Sequence, residues 1–296
     1  MPKILIIGFG SIGQRHFEIL KKFKSSIKII SNRNLKNINQ INFSKKEILH
    51  FNPDYVIISS KTSLHLKHFI KINSFISNKV ILIEKPIFHI CPKETINLKN
   101  FVFVGFNMRF NPLIMYLKKF FENYKYRIYS LNVYCGSFLP SWRNNVDYSK
   151  SSSALKVGGG VINDLMHEFD YINWIFGKIV INNKVKRRLS NLNIKSSDFA
   201  NFTGVCGKKI NFNIMLNYFS FINHRYIIID TEIETLHVDL ISHSISIKKI
   251  NYKKIKSRKW KFTRNYSYIK MHNAIFSKNY KNLCTFNEAM NYLNIS

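Results

Sequence analysis

The run Ile4-Leu5-Ile6-Ile7 empties directly into Gly8-Phe9-Gly10-Ser11-Ile12-Gly13, and this junction constrains the fold more than any other stretch. A short apolar segment bounded by glycine reads as a buried strand. The spacing Gly8-x-Gly10-x-x-Gly13, followed by Ile12, His16, Ile19, Leu20 and Phe23 at helical intervals, reads as a tight turn opening a helix. In such a unit Gly8 allows the turn, Gly10 lets the backbone approach a pyrophosphate, and Gly13 lets helix and strand pack closely. The first N–H groups of the helix then face the phosphate charge. The unit is expected to hold a dinucleotide.

Beyond this turn, strands are expected over residues 27–31, 55–59, 80–84 and 101–106. Between them lie a helix opened by the capping box Ser44-x-x-Glu47, a helix over 63–73 and a short helix after Pro92. Each strand is a continuous apolar run, the pattern of a parallel sheet covered on both faces. From residue 113 the texture changes. A helix over 113–123 and a strand over 126–136 lead through a Ser- and Asn-rich loop to Gly158-Gly159-Gly160, then a helix over 161–176 stopped by Gly177. Strand-like segments follow at 199–206, 209–218, 226–230, 234–238 and 244–250, and two helices close the chain, near 266–276 and after the capping box Thr285-x-x-Glu288. The expected class is α/β. A doubly wound Rossmann domain spans residues 1–112, and an α+β domain with a largely antiparallel, open-faced sheet spans 113–296, its open face free to form a wall or an interface.

With 296 residues the chain can bury a core without metal or disulfide. Cys91, Cys135, Cys206 and Cys284 show neither CxxC nor Cys/His ligand spacing, so they read as reduced thiols in a cytoplasmic protein with no metal site. No run nears the ~20 apolar residues of a membrane span, and the N-terminus lacks a cleavage pattern, so a soluble, uncleaved protein is expected. The 46 Lys and Arg against 16 Asp and Glu give a formal charge of +30. A clustered basic face would point to nucleic acid. These lysines are instead spread along the chain among Ile, Asn, Phe and Tyr, so nucleic acid is not the expected partner. The one dense cluster runs from Lys248 to Lys261, with Lys249, Lys253, Lys254, Lys256, Arg258 and Lys259 around Tyr252 and Trp260. It reads either as a surface for stacking bases or as a basic hairpin on the outside of a sheet. The overall field favours phosphorylated ligands.

In a doubly wound sheet the residues just after each strand line the ligand crevice. After the second strand stand Ser31-Asn32-Arg33, where an NAD-binding protein commonly carries a carboxylate for the ribose diol. A hydroxyl and a guanidinium suit a 2′-phosphate instead, so NADP is the preferred cofactor and NAD the alternative. After the third strand come Ser60, Thr62 and His65, placed to line the ribose and nicotinamide edge. The fourth strand ends in Glu84-Lys85-Pro86, where Lys85 can approach a substrate. Asp164 and His167 are three apart on the expected helix, hence on one face, and a histidine paired with a carboxylate suits removal of a hydroxyl proton.

Five motifs thus occur in order: Gly8-Phe-Gly-Ser-Ile-Gly13, Thr62-Ser-Leu-His65, Glu84-Lys85-Pro86, Val104-Gly-Phe-Asn-Met-Arg-Phe-Asn-Pro112 and Gly158-Gly-Gly-Val-Ile-Asn-Asp-Leu-Met-His-Glu-Phe-Asp170. Together they resemble the glucose-fructose oxidoreductase, inositol dehydrogenase and rhizopine-catabolism family (Gfo/Idh/MocA) over nearly the whole chain, although Lys61 stands where that family usually has proline. The resemblance implies an NAD(P)-dependent oxidoreductase that transfers hydride between nicotinamide and a carbinol carbon of a sugar, polyol or nucleotide-sugar. Lys85, Asp164 and His167 then inherit the catalytic roles beside the nicotinamide. With the strand-end reading, the expected cofactor contacts are Gly8, Gly10, Ser11, Ile12, Gly13, Ser31, Asn32, Arg33, Ser60, Thr62, His65, Glu84 and Lys85. Asn107, Trp142, Arg143, Asp147 and Tyr148 are the expected substrate contacts, and similar proteins form homo-oligomers through the open sheet. Gly136, Leu139-Pro140-x-Trp142-Arg143 and Asp147-Tyr148 look most like a branch that accompanies genes for bacterial surface glycans and sialic-acid-like sugars. The alternatives within the same resemblance are an NAD-retaining transferase or glycosidase, and a non-catalytic dinucleotide-binding regulator.

Overall fold

The computed structural model describes residues 1–295, which form two compact units. The first comprises residues 1–110 and 265–295. It opens with β1 (Lys3–Ile7), α1 (Ser11–Leu20), β2 (Ser26–Ile30), α2 (Lys45–Phe51), β3 (Tyr55–Ile58), α3 (Thr62–Phe75), β4 (Val80–Ile83) and β5 (Phe101–Val104). These strands pair in parallel, β1 lying between β2 and β3, with Ile4 opposite both Ile27 and Tyr55. Ile4 to Ile6, Val56 to Ile58 and Ile81 to Ile83 are all inaccessible to solvent, as continuous apolar strands between two helical layers must be. Ser44 caps α2 by accepting from Glu47 N, which is why that helix begins where it does.

One expected element is missing. Residues 91–100, where a short helix was expected after Pro92, contain no helix. The backbone there is held by side chains from elsewhere: Asn73 donates to Asn97 O at 2.8 Å and accepts from Lys99 N at 3.2 Å, and Asn100 donates to Ile76 O at 2.9 Å. These bonds satisfy groups that a helical ladder would otherwise occupy.

The second unit, residues 111–264, contains α4 (Pro112–Glu122), β6 (Ile128–Gly136), α5 (Val161–Asp164), α6 (His167–Phe176), β7 (Ile179–Arg187), β8 (Phe199–Cys206), β9 (Ile210–Asn217), β10 (His224–Thr231), β11 (Glu234–Asp239), β12 (Ser244–Lys249) and β13 (Lys256–Lys259). Its eight strands lie in the order β13-β12-β11-β10-β6-β9-β8-β7. Every neighbouring pair is antiparallel except β6 and β9. Alternate residues are buried on one face: Leu131 and Val133 on β6, Ala200 and Phe202 on β8, Ile214 and Leu216 on β9. Phe169 of α6 meets Phe202 edge-on there, with ring centroids 4.9 Å apart.

The single helix expected over 161–176 is two helices. α5 ends at Asp164, Leu165 leaves the helical region at φ −103°, ψ 27°, and α6 begins at His167. Strand β7 was not expected from sequence, because an edge strand with residues 182–187 exposed carries no buried alternation. The basic cluster forms the outermost hairpin, β12 paired with β13, and charge along such an edge discourages further strand addition.

The chain then returns to the first unit with α7 (Tyr266–Phe276), β14 (Cys284–Thr285) and α8 (Phe286–Met290). Sequence reading assigned these residues to the second domain. Instead β14 pairs antiparallel with β5, Cys284 opposite Val104, and completes a sheet of order β14-β5-β4-β3-β1-β2. Tyr268, Met271 and Ile275 of α7 join the core over Ile4, Ile6, Tyr55 and Ile57. Among the described residues no helix is long and apolar enough to cross a membrane.

Candidate functional site

The first unit holds the glycine turn in the geometry its spacing predicts. Gly8 has φ +95°, and a Cβ there would stand 2.5 Å from the Ser60 Cα. At Gly13 a Cβ would lie 2.3 Å from Gly8 O and 2.8 Å from Ser59 Oγ, so β1 and α1 meet backbone to backbone. Ser59 Oγ fastens the turn by donating to Gly8 O at 2.9 Å. Gly10 differs. A Cβ there would meet nothing within 4 Å, and as the N-cap residue of α1 it brings no side chain to cover the helix's first N–H groups. An open space at a helix N-terminus, located where the sheet order reverses around β1, matches a diphosphate in charge and position. Ser11 at the start of α1 is exposed and Ile12 half-buried.

Past β2, Ser31 Oγ accepts from Arg33 N at 3.1 Å, and Asn32 and Arg33 are exposed. Past β3, Ser60 is half-buried with its Oγ 2.9 Å from His68 Nδ1, and Thr62 opens α3. Burial, with the cations of Lys67 and Lys71 and the neighbouring His65, pushes His68 down to about 4. His65 faces inward. Its Nε2 lies 3.0 Å from Ser60 O and its Nδ1 3.0 Å from Pro86 O, so the ring ties the end of β3 to the turn after β4. Burial lowers its pKa despite these carbonyls.

Glu84 also faces inward and ends a buried chain of polar groups. Tyr55 OH lies 3.1 Å from His272 Nδ1, His272 Nε2 2.9 Å from His16 Nδ1, and His16 Nε2 2.9 Å from Glu84 Oε1. One tautomer set satisfies every contact: Tyr55 donates to His272, His272 to His16, and His16 to Glu84. Burial and the adjacent His16 hold His272 well below its usual pKa, and burial with the nearby Glu84 holds Tyr55 well above its own. Lys85, half-buried, follows directly at the end of this chain, joined to Pro86 by a cis peptide bond. Asn107 is buried in a 3-10 turn after β5.

In the second unit Asp164 and His167 stand on either side of the break between α5 and α6, rather than on one face of a continuous helix. Tyr218, fully buried, donates from its OH to Asp164 Oδ2 at 2.5 Å. Burial, reinforced by that carboxylate, keeps the phenol well above its ordinary pKa and therefore a donor. Trp142 meets Tyr218 edge-on at 5.3 Å and donates from Nε1 to Ser137 Oγ at 2.8 Å. Arg143 and Asp147 are exposed, and Asp147 accepts from Ser149 N and Oγ, which lowers its pKa together with Lys150. Tyr148 is half-buried, its OH accepting from Asn193 N at 3.1 Å.

Sequence reading missed the roles of His16, Tyr55, His272 and Tyr218. The only signal was His16 at a core position of the α1 pattern, where an apolar residue would be usual. Its partner lies 256 positions away, beyond any local pattern.

The two units define a class: a Rossmann-like, parallel-dominated sheet joined to a mostly antiparallel one. No known family profile matches the chain, and no curated protein matches it in sequence. Solved structures do match in fold. A levoglucosan dehydrogenase solved with NADH and levoglucosan aligns over 99% of this chain and 94% of its own, with a TM-score of 0.80 at 14% identity. The WlbA dehydrogenase from Bordetella pertussis, solved with NADH and UDP-GlcNAcA, aligns over 99% and 94% with a TM-score of 0.76 at 15% identity. An oxidoreductase from Agrobacterium radiobacter, solved with NAD+, L-tartaric acid and magnesium, aligns over 99% and 93% with a TM-score of 0.78 at 14% identity.

Proposed function

We propose that the chain is an NAD(P)-dependent oxidoreductase acting at a carbinol carbon of a sugar, polyol or nucleotide-sugar. One observation carries the reading: the open space at Gly10, against the N-terminus of α1 and beside the reversal of the sheet order. Proteins of the same fold have been solved with NADH or NAD+, and two of those with carbohydrate ligands. The bound nicotinamide would supply the hydride-transfer chemistry. Gly8, Gly10, Ser11, Ile12 and Gly13 hold the diphosphate. Ser31, Asn32 and Arg33 hold the adenosine ribose, and the exposed guanidinium of Arg33 favours a 2′-phosphate, hence NADP over NAD. Ser60 and Thr62 edge the cofactor, while His65 and Glu84 support that edge from beneath.

In this reading His167 exchanges the substrate's hydroxyl proton, Asp164 orients the imidazole, and Lys85 polarises the substrate oxygen. Tyr218 holds Asp164 in turn. Asn107, Trp142, Arg143, Asp147 and Tyr148 shape the substrate site. The uncovered face of the second sheet suits a homo-oligomer: Tyr134 and Tyr226 stack there, and Asn201 and Asn213 each bury a side-chain oxygen that has no hydrogen-bond partner among the described residues. A cytoplasmic setting and a place in surface-glycan synthesis complete the proposal.

The test is a fluorescence titration with NADPH and NADH, followed by a turnover screen of sugars and nucleotide-sugars. NADPH should bind more tightly, and Arg33→Ala should abolish the difference; equal affinities in the unsubstituted protein overturn the NADP preference. His167→Ala should lower turnover by about 10²–10⁴ with little change in cofactor affinity. Loss of binding and turnover in equal measure would make His167 structural.

A further inference from the structure

The second unit carries a cleft to which, of the residues given roles above, only Tyr148 contributes. Its walls come from three loops at one end of the sheet: the segment after β6, the β7–β8 loop and the β9–β10 loop. The strand register brings them together, since Gly136 lies opposite both Asn217 and His224, and Asn217 opposite Phe199. The cavity has a volume of about 590 Å³, within the range that holds a small ligand.

Four aromatic rings, those of Phe138, Tyr148, Phe219 and Phe221, line it together with Leu189 and Leu192. Phe221 is 85% exposed and Leu189 54% exposed, so a chain of strongly basic composition leaves an apolar surface open to water here. The β7–β8 wall is built rigidly. Asp198, fully buried, accepts from Leu189 N at 2.7 Å, Ser190 N at 2.9 Å and Ser190 Oγ at 2.5 Å. Arg188 clamps the far end of that loop by donating to Ile194 O at 3.1 Å.

The lining has a definite chemistry. None of its nine residues is charged, and Ser190 spends its hydroxyl proton on Asp198. A free hexose finds few partners for its ring of hydroxyls here, since only Tyr148, Ser190 and Asn191 of the lining carry polar side-chain groups. A flat, neutral heterocycle fits: the rings offer stacking faces, and the exposed amide of Asn191 offers a donor and an acceptor to its edge. Cations stand outside the cleft on the same loops. Arg143 and Lys150, both exposed, lie on the segment that carries Tyr148; Lys150 Nζ is paired with the Asp147 carboxylate at 3.2 Å, which leaves Arg143 as the cation for an anionic group attached to that ring.

We infer that this cleft receives the base of a nucleoside diphosphate-linked sugar, so that the substrate is nucleotide-activated rather than free. The inference rests on the oxidoreductase reading for what happens to the sugar, but the binding claim stands on the cleft alone.

The test is isothermal titration of UDP, ADP, GDP and CDP, with pyrophosphate, free glucose and decanoate as controls, into protein saturated with NADH so that the glycine turn is not available to them. At least one nucleoside diphosphate should bind, and pyrophosphate, glucose and decanoate should bind at least about tenfold more weakly. Phe221→Ala, a change at an exposed ring, should raise the nucleotide's Kd at least about tenfold and leave the Kd for NADH unchanged. Asn191→Ala should alter the ranking of the four bases. Binding of decanoate in place of the nucleotides, or a nucleotide Kd indifferent to Phe221→Ala, overturns the inference. Normal NADH binding with no nucleotide binding overturns it while leaving the oxidoreductase reading intact. Failure of both NADPH and NADH to bind overturns that reading instead, and the Phe221 comparison still decides the cleft.

Discussion

Gly10→Ala should separate ligand binding from folding. Gly10 sits at φ −73°, ψ −172°, a conformation alanine adopts freely, and the added methyl would meet nothing within 4 Å. Two small terms remain. Alanine restricts the unfolded chain, a gain of about 0.4–1 kcal/mol. It is also a poorer N-cap than glycine, a loss of about 0.5–1 kcal/mol. The net change in stability is therefore within about 0.5 kcal/mol of zero. Gly13→Ala is the contrast: its methyl would lie 2.3 Å from Gly8 O, so α1 must move off β1 at a cost of about 1–3 kcal/mol. Binding reverses the emphasis. The Gly10 methyl occupies the volume a diphosphate needs, and loss of one charge-assisted N–H bond, about 1.5–3 kcal/mol, weakens affinity by about 10- to 150-fold. Urea denaturation followed by circular dichroism gives the first quantity and NADPH fluorescence the second. Wild-type NADPH affinity in Gly10→Ala would refute the assignment of that space to a diphosphate, and a stability loss equal to that of Gly13→Ala would refute its openness.

Three further outcomes are expected. Arg225 Nε donates to the fully buried Glu168 at 2.8 Å, so Arg225→Met, which strands a carboxylate in the core, should cost about 3–5 kcal/mol, and adding Glu168→Leu should recover most of it; an unchanged urea midpoint in the single variant would show that the pair is dispensable. Tyr218→Phe removes the donor to Asp164 and should lower turnover about tenfold with a smaller change in KM, a distinction that a merely structural tyrosine would not make. Stability should also fall on mild acidification. His65, His68 and His272 all have folded-state pKa values below 6.5, so the unfolded chain binds more protons once the pH drops below that value. Their contribution is complete above pH 6.5 and lost on the way down, through about 4 for His68, at up to roughly 1.4 kcal/mol per pH unit for each histidine. A flat denaturation profile between pH 7 and 4 would contradict this.

Much of the fold was legible because it is local. Ile4 to Ile7 and Tyr55 to Ile58 are short apolar runs between turn signals, and such runs have few other stable environments than the middle of a covered sheet. The alternation in β8 and β9 likewise announced a sheet with one buried face. Of the candidate site, the glycine turn was fully readable, since each of its three glycines answers a backbone requirement set within a few residues. The Asp164 and His167 spacing was readable but its geometry was not: Met166 and Leu165 are ordinary helix formers, and nothing local reveals that the helix breaks between the two functional groups.

Sequence alone determined which segments become strands and helices wherever burial imposes a period, and where the glycine turn lies. Tertiary structure decided what depends on partners distant in the chain: the return of Cys284 to pair with Val104, the parallel contact of β6 with β9, and the alignment of Tyr55, His272, His16 and Glu84. The physical reason is that a side chain's period is written in its neighbours, whereas satisfaction of a buried polar group is a property of whichever segment folding brings against it.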